Sequence, residues 1–188
     1  MRLARGTDVE RDQFQTLSLT HLDAVHRMAF HLAGNDAEAA DLVQETYLRA
    51  LRAAERFEER GGGMRPWLFR ILHNVFFSSR KSAAIRRAAV LVDDPPESGP
   101  DEPPAWDLAS LDWDQVDDEL KGAIDELRPE YRATLLLWSV EGLKYREIAE
   151  VMEVPIGTVM SRLHRARSIL IEQLANWSEQ HGLPGGSH

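Results

Sequence analysis

The 188-residue sequence contains no cysteine. Disulfides and thiolate metal sites are therefore excluded, and a reducing compartment fits. No apolar run approaches the roughly 20 residues a membrane helix needs, so membrane insertion is not expected. The segment from Met1 to Gln13 mixes Arg, Asp and Glu and lacks the apolar stretch of a signal peptide. A cytoplasmic protein is the expectation. Basic residues are missing altogether from 93–120, where eleven acids stand. The converse absence runs from Arg60 to Val92, where seven basic residues occur without a single acid.

The formal net charge of −9 argues at first against a nucleic-acid partner. Its distribution reverses that reading, because most of the deficit sits in 93–120 and local fields steer phosphate contacts. The block Arg60, Arg65, Arg70, Arg80, Lys81, Arg86 and Arg87 can bind DNA within an acidic chain. The low total charge predicts weak non-specific DNA affinity for the chain alone.

A hydrophobic fraction of 43% supports packed cores. Pro95, Pro96, Pro100, Pro103 and Pro104 stand among acids, where restricted backbone and like-charge repulsion predict an extended linker at 92–113. It separates an N-terminal helical domain, 14–91, from a smaller one at 114–177. No internal repeat or convincing strand pairing is present, so the expected fold is all-α with two small helical domains. The tail Gly182–His188 is expected to be disordered.

In the first domain Leu22, Val25, Ala29 and Leu32 recur at helical spacing. Gly34-Asn35 closes that helix, and Asp36 can cap the next one. Ala40, Val43, Tyr47 and Leu51 then form a core stripe, while Asp41, Gln44, Glu45, Leu48 and Arg52 make a mixed face. Leu48 there is a scattered surface leucine, a second core contact, or an apolar anchor in a polar rim suited to a partner protein. Gly61-Gly62-Gly63 breaks the chain, and Pro66 suits the first turn of a helix from Arg65 to Lys81. Trp67, Leu68, Phe69, Ile71, Leu72, Val75, Phe76 and Phe77 exceed what one stripe needs, so this helix is buried on several sides or leaves rings exposed. Arg70, Asn74, Phe77 and Lys81 share a face. Such a face suits melted nucleic acid, where rings stack on bases and cations follow phosphates; taken alone the signal is weak, and a core helix carrying a solvated basic edge is the plainer reading.

In the second domain Val116, Leu120, Ile124 and Leu127 mark one helix and Tyr131, Thr134, Leu135 and Trp138 another. Gly142 allows a turn, Tyr145, Ile148, Ala149 and Met152 give a short third helix, and Glu153-Val154-Pro155 is a tight junction. Val159, Leu163, Ala166 and Leu170 line the last helix, which begins near Ile156. Its opposite face offers Thr158, Ser161, Arg162 and Arg165, flanked by His164 and Arg167, with no acid from Val154 to Ile171. A short helix, a tight turn and a helix with a basic outer face make a helix-turn-helix over 143–170 that fits a major groove. A generic helical hairpin with a solvated Arg face is the alternative.

Two stretches carry a family resemblance. Asp41-Leu-Val-Gln-Glu-Thr-Tyr-Leu-Arg-Ala50 with Arg65-Pro-Trp-Leu-Phe-Arg-Ile-Leu-His-Asn-Val75 resembles region 2 of a bacterial sigma-70 family RNA polymerase sigma factor of the extracytoplasmic-function (ECF) group. Leu127–Arg132, Glu141–Ala149 and Val154–Arg167 resemble its region 4. The resemblance covers both expected domains, in order. The resemblance implies a protein that binds core RNA polymerase, directs it to a promoter and opens the upstream part of the bubble, and that is not an enzyme. Asp41, Gln44, Glu45 and Leu48 would meet the clamp helices of the largest catalytic subunit, and region 4 the flap of the second-largest. Arg70, Asn74, Phe77, Arg80 and Lys81 would lie at the promoter −10 element. Phe57 and the loop to Met64 would sit by a flipped base. Thr158, Ser161, Arg162, Arg165 and Arg167 would bind the −35 duplex, Arg suiting guanine edges and Ser or Thr phosphates. An anti-sigma protein is an implied partner; no cofactor and no metal are.

Two positions depart from the pattern. Met160 stands where many relatives place Lys or Arg, which removes one phosphate contact. The triple glycine loosens the loop before the melting helix. The acidic linker takes the place of region 3 and would run through polymerase channels with a charge that mimics nucleic acid.

Other function classes have less support in the residues. His21, His26 and His31 recur every five positions, which spreads them around a helix, and neither Asp117-Asp118-Glu119 nor Glu58-Glu59 has ligand spacing with a histidine. A sigma-like decoy that sequesters an anti-sigma protein would lose its basic faces, whereas Arg80, Lys81, Arg162 and Arg165 are retained. A stand-alone helix-turn-helix regulator would leave the first domain without a role.

Overall fold

The structure is a computed structural model, and the residues it describes are 4–57, 63–86 and 118–180. The linker expected at 92–113, the tail 181–188 and most of the glycine loop lie outside the described residues. All described elements are helical: α1 (Ala4–Leu19), α2 (Leu22–Ala33), α3 (Asp36–Arg52), a 3-10 turn (Ala54–Arg56), α4 (Met64–Arg86), α5 (Asp118–Glu126), α6 (Pro129–Ser139), α7 (Tyr145–Met152) and α8 (Ile156–Gln180). The chain splits into two compact units, α1–α4 forming the body of the first and α5, α6 and α8 that of the second.

In the first unit α2 and α3 form an antiparallel hairpin. α2 ends at Gly34, whose φ of 80° is a left-handed conformation that costs a residue without Cβ little. Its N–H bonds Phe30 O at 2.8 Å. The cap of α3 is Asn35 rather than the expected Asp36: Asn35 is extended, and its Oδ1 accepts the Glu38 N–H at 2.9 Å. Asp36 follows inside the first turn, where its charge favours the positive helix end. The core stripe of α3 is also turned by about one residue from expectation. Ala39, Thr46 and Ala50 are fully buried, Val43, Tyr47 and Leu51 half-buried, and Ala40 exposed. α3 packs on both α2 and α4, and small side chains at the contact let helix backbones approach closely.

α4 explains its surplus of large residues by its neighbours, since it packs against α1, α2 and α3. Leu68, Phe69, Leu72, Val75 and Phe76 are buried, while Trp67, Ile71 and Phe77 are half-buried. α1 has no sequence signature as a helix because its apolar residues form no continuous stripe. Among the described side chains, Phe14 on Trp67 and the buried Ser18 hold it to the unit.

In the second unit Pro129 opens α6 at its first turn, where a missing N–H costs nothing. Arg132 is buried, and its Nη1 donates to Asp125 O at 2.6 Å, which ties α6 back to α5. Thr134 and Ser139 bury hydroxyls inside α6 and satisfy them on Glu130 O and Leu135 O, one turn back. α5 and α6 both pack on α8. The stripe Val159, Leu163, Ala166 and Leu170 is at most 1% exposed, so the expected core face of the last helix is the observed one.

Candidate nucleic-acid interface

The helix-turn-helix is built from local hydrogen bonds. At the start of α7 the Lys144 side chain offers no capping oxygen, but its N–H donates to Glu147 Oε2 at 2.7 Å, the return arm of a capping box. α7 closes where Glu153 takes a left-handed φ of 56° and Val154 N–H bonds Ala149 O at 3.1 Å. Pro155 O then accepts the Thr158 N–H at 2.9 Å, which starts α8. Ile148 of α7 and Val159 and Leu163 of α8 are fully buried. With the inner face sealed, α8 turns Arg165 and His164 outward, both exposed, beside half-buried Thr158, Ser161, Arg162 and Arg167. Met160 is half-buried at the edge of this face. The Ser161 hydroxyl donates to Thr158 O at 3.0 Å, so its proton is engaged within the helix. The Tyr145 phenol is pushed up by burial and stays neutral at physiological pH.

On α4 Arg70 and Arg80 are exposed and Asn74 and Phe77 half-buried along one side; the Lys81 side chain lies outside the described residues. Three further contacts there escape sequence reading. The His73 ring lies 4.4 Å from the Phe77 ring, tilted by 38°. Phe76 meets Phe77 edge to face at 5.0 Å, and the Arg80 guanidinium covers Phe76 at 4.6 Å. The i, i+4 spacing of His73 with Phe77, and of Phe76 with Arg80, is the signal that could have found them. Phe57 is half-buried, its ring in contact with Phe14 and Trp67. Burial, and then the Arg65 charge, push the pKa of His21, just before α2, below the usual imidazole value.

α3 presents Asp41, Gln44, Leu48 and Arg52 to solvent, with Glu45 half-buried among them. Leu48 is 43% exposed, so it is no second core contact. Glu45 Oε1 accepts from Arg49 Nε at 2.6 Å, an exposed i, i+4 pair of small energetic worth. Among the described residues no group of His, Asp or Glu could hold a metal ion, and no helix is long and apolar enough to cross a membrane.

Known proteins carry the same two modules in the same order. Residues 17–86 match the family Sigma-70 region 2, and residues 117–170 match Sigma-70, region 4. These two regions on one chain, whose described elements are all helical, define a sigma-70 family protein. The ECF RNA polymerase sigma factor SigE of Mycolicibacterium smegmatis is 35% identical over 178 residues, covering 94% of this chain and 67% of its own. The ECF RNA polymerase sigma factor SigL of Mycobacterium tuberculosis is 31% identical over 179 residues, covering 92% of this chain and 97% of its own. Among solved structures, the sigma factor RpoE from Bartonella quintana, crystallised with the anti-sigma factor NepR, superposes with a TM-score of 0.64 at 29% identity, covering 87% of this chain and 97% of that one. The chain belongs to the ECF group of RNA polymerase sigma factors.

Proposed function

We propose that this chain is an active initiation factor: it binds core RNA polymerase, reads the −35 element with α8 and the −10 element with α4, and helps to open the duplex there. The observation that carries this reading is the outer face of α8. Four buried positions, Val159, Leu163, Ala166 and Leu170, fix its inner side, and that orientation leaves Arg165 exposed and Arg162 and Arg167 beside it. A decoy has no use for such a basic face. In this reading Arg162 and Arg165 pair with guanine edges or phosphates, and Thr158, Ser161 and Arg167 contribute backbone contacts. Because the Ser161 proton is engaged by Thr158 O, Ser161 meets a phosphate only by turning its hydroxyl.

On α4, Arg70, Arg80 and Lys81 follow phosphates while Asn74 and Phe77 face the bases of the opened strand. The boundaries 14–91, 92–113 and 114–177 are the working division into a −10 and polymerase-binding domain, a linker and a −35-binding domain. Asp41, Gln44, Glu45 and Leu48 form the core-polymerase face, with Leu48 the apolar anchor inside a polar rim; region 4 meets the flap of the second-largest subunit. The polymerase performs the chemistry, so the chain is not itself an enzyme, and it works in the cytoplasm. The anti-sigma factor NepR held by the Bartonella sigma factor supports an anti-sigma partner for this chain as well.

Run-off transcription with purified core enzyme on a promoter library tests the reading. Promoter-dependent initiation is expected only when the chain is added. Folded protein that binds core enzyme yet supports no initiation would overturn it.

A further inference from the structure

We infer that Ile156 and Met160 are specificity-determining residues of α8, reading the 5-methyl groups of thymines in the −35 element. The inference rests on the reading that α8 enters the major groove there. Ile156 opens α8 and is 40% exposed. Met160 follows four residues later and is half-buried. Side chains at that spacing are neighbours on a helix surface. Gly157 adds no cover, since a Cβ on it would meet nothing within 4 Å. The leading end of α8 therefore presents an accessible apolar pair.

The helical period sets this pair apart from the basic residues. Measured from the buried line Val159, Leu163, Ala166 and Leu170, Ile156 and Met160 fall on one side, and Thr158, Arg162 and Arg165 on the other. Arg167 lies on the first side too, but seven residues past Met160. A recognition helix contacts base edges with residues near its N-terminus. At that end of α8 the polar inventory is short. Thr158 is half-buried, the Ser161 hydroxyl donates to Thr158 O at 3.0 Å, and Arg162 is the first long polar side chain. An apolar pair cannot read donors or acceptors. It can read the one apolar group that base pairs display in the major groove, the C5-methyl of thymine. Packing that methyl on Ile156 or Met160 removes apolar surface of both partners from water. Met160 thus supplies a base contact, where a lysine or arginine would reach a phosphate and carry no sequence information.

The test uses holoenzyme assembled from core polymerase and the full chain. A promoter duplex is first selected from a pool randomised at −35 and −10. It is then resynthesised with deoxyuridine in place of each −35 thymine in turn, on either strand, which removes the methyl and keeps every hydrogen-bonding group. Wild-type holoenzyme is expected to bind roughly three- to fivefold more weakly at one or two of these substitutions, the scale of one buried methyl. Ile156→Ala and Met160→Gln should each make thymine and deoxyuridine equivalent at one of those positions; glutamine keeps the length and helix preference of methionine. Arg165→Ala should weaken binding of both duplexes and leave their ratio as in wild type. Equal binding of thymine and deoxyuridine duplexes by wild type at every −35 position would overturn the inference, and that comparison needs no variant to fold. Discrimination that survives both Ile156→Ala and Met160→Gln would overturn it as well. In either case a −35 preference weakened by Arg165→Ala leaves the α8 reading standing. Promoter binding with no base preference at −35 would reject that reading, and the inference with it.

Discussion

The Tyr47 hydroxyl donates a 2.9 Å hydrogen bond to the Ser18 carbonyl, joining the middle of α3 to the end of α1 across 29 positions of sequence. The Ser18 carbonyl, in the last turn of α1, thereby gains a second donor beside the His21 N–H, which it accepts at 3.1 Å. Burial, and then the Asp23 carboxylate, push the Tyr47 phenol up to about 12. Its folded pKa lies above its unfolded value, so the stability it contributes is complete below about pH 10 and is lost as the pH rises toward 12. Tyr47→Phe should cost about 1 kcal/mol at neutral pH, the usual worth of such a bond. Denaturant titrations at several alkaline pH values should also show a shallower decline for the variant than for wild type. Parallel declines would show that Tyr47 is not the titrating group.

How far the sequence exposes the fold depends on how a helix is buried. The stripe Val159, Leu163, Ala166 and Leu170 packs on one side only, and its large apolar residues announce it; each is at most 1% exposed. α3 is sandwiched by α2 and α4, so its most buried positions are Ala39, Thr46 and Ala50, residues that hydrophobic patterning undervalues. Patterning therefore places Ala40 in the core and the cap one residue late, at Asp36. α1 is not legible as a helix because its apolar residues form no continuous stripe, and the Phe14–Phe57–Trp67 triad because its members are far apart in sequence. The outward faces of α3, α4 and α8 are legible, because once the inner positions are known the helical period assigns the rest.

Thr46 is fully buried, and its Oγ1 finds no hydrogen-bond partner. A hydroxyl placed in a core without a partner forfeits its hydration, a cost of roughly 1–3 kcal/mol. Thr46→Val replaces the hydroxyl by a methyl of similar shape and should raise stability by about 1 kcal/mol. In a domain of this size the melting temperature would rise by roughly 4–8 °C. A drop instead of a rise would mean that the extra methyl strains the contact with neighbouring helices.

The Glu147 carboxylate on the Lys144 N–H holds the first turn of α7, the leading helix of the helix-turn-helix. With only eight residues, α7 has little helical stability of its own. Glu147→Ala leaves that amide without its acceptor and should destabilise the second unit by about 1 kcal/mol. Glu147→Gln keeps an acceptor oxygen and should recover most of the loss. Thermal denaturation of the three proteins, followed by circular dichroism, separates these outcomes. Equal behaviour of the Ala and Gln variants would show that the charge, not the hydrogen bond, matters.

Arg165 and Leu48 are both exposed, one on α8 and one on α3, and the proposed roles give them opposite phenotypes. Arg165→Ala removes a charge-assisted contact to duplex DNA, and such a contact is worth about 1–3 kcal/mol when it reaches a base edge. Promoter binding by the holoenzyme should therefore weaken by roughly tenfold or more, while affinity for core polymerase stays unchanged. If Arg165 meets only phosphate, the loss should be uniform across −35 sequences and the salt dependence shallower; a base contact would instead relax selection at one position. Leu48→Ala should do the reverse. It removes an apolar anchor from a polar rim, so core affinity falls, while a holoenzyme driven together at high concentration binds promoters as wild type does. Neither substitution should alter the folded core, since both side chains already face solvent. Measuring core binding and promoter binding separately for both variants tests both assignments at once, and a shared phenotype would defeat the division of labour between α3 and α8.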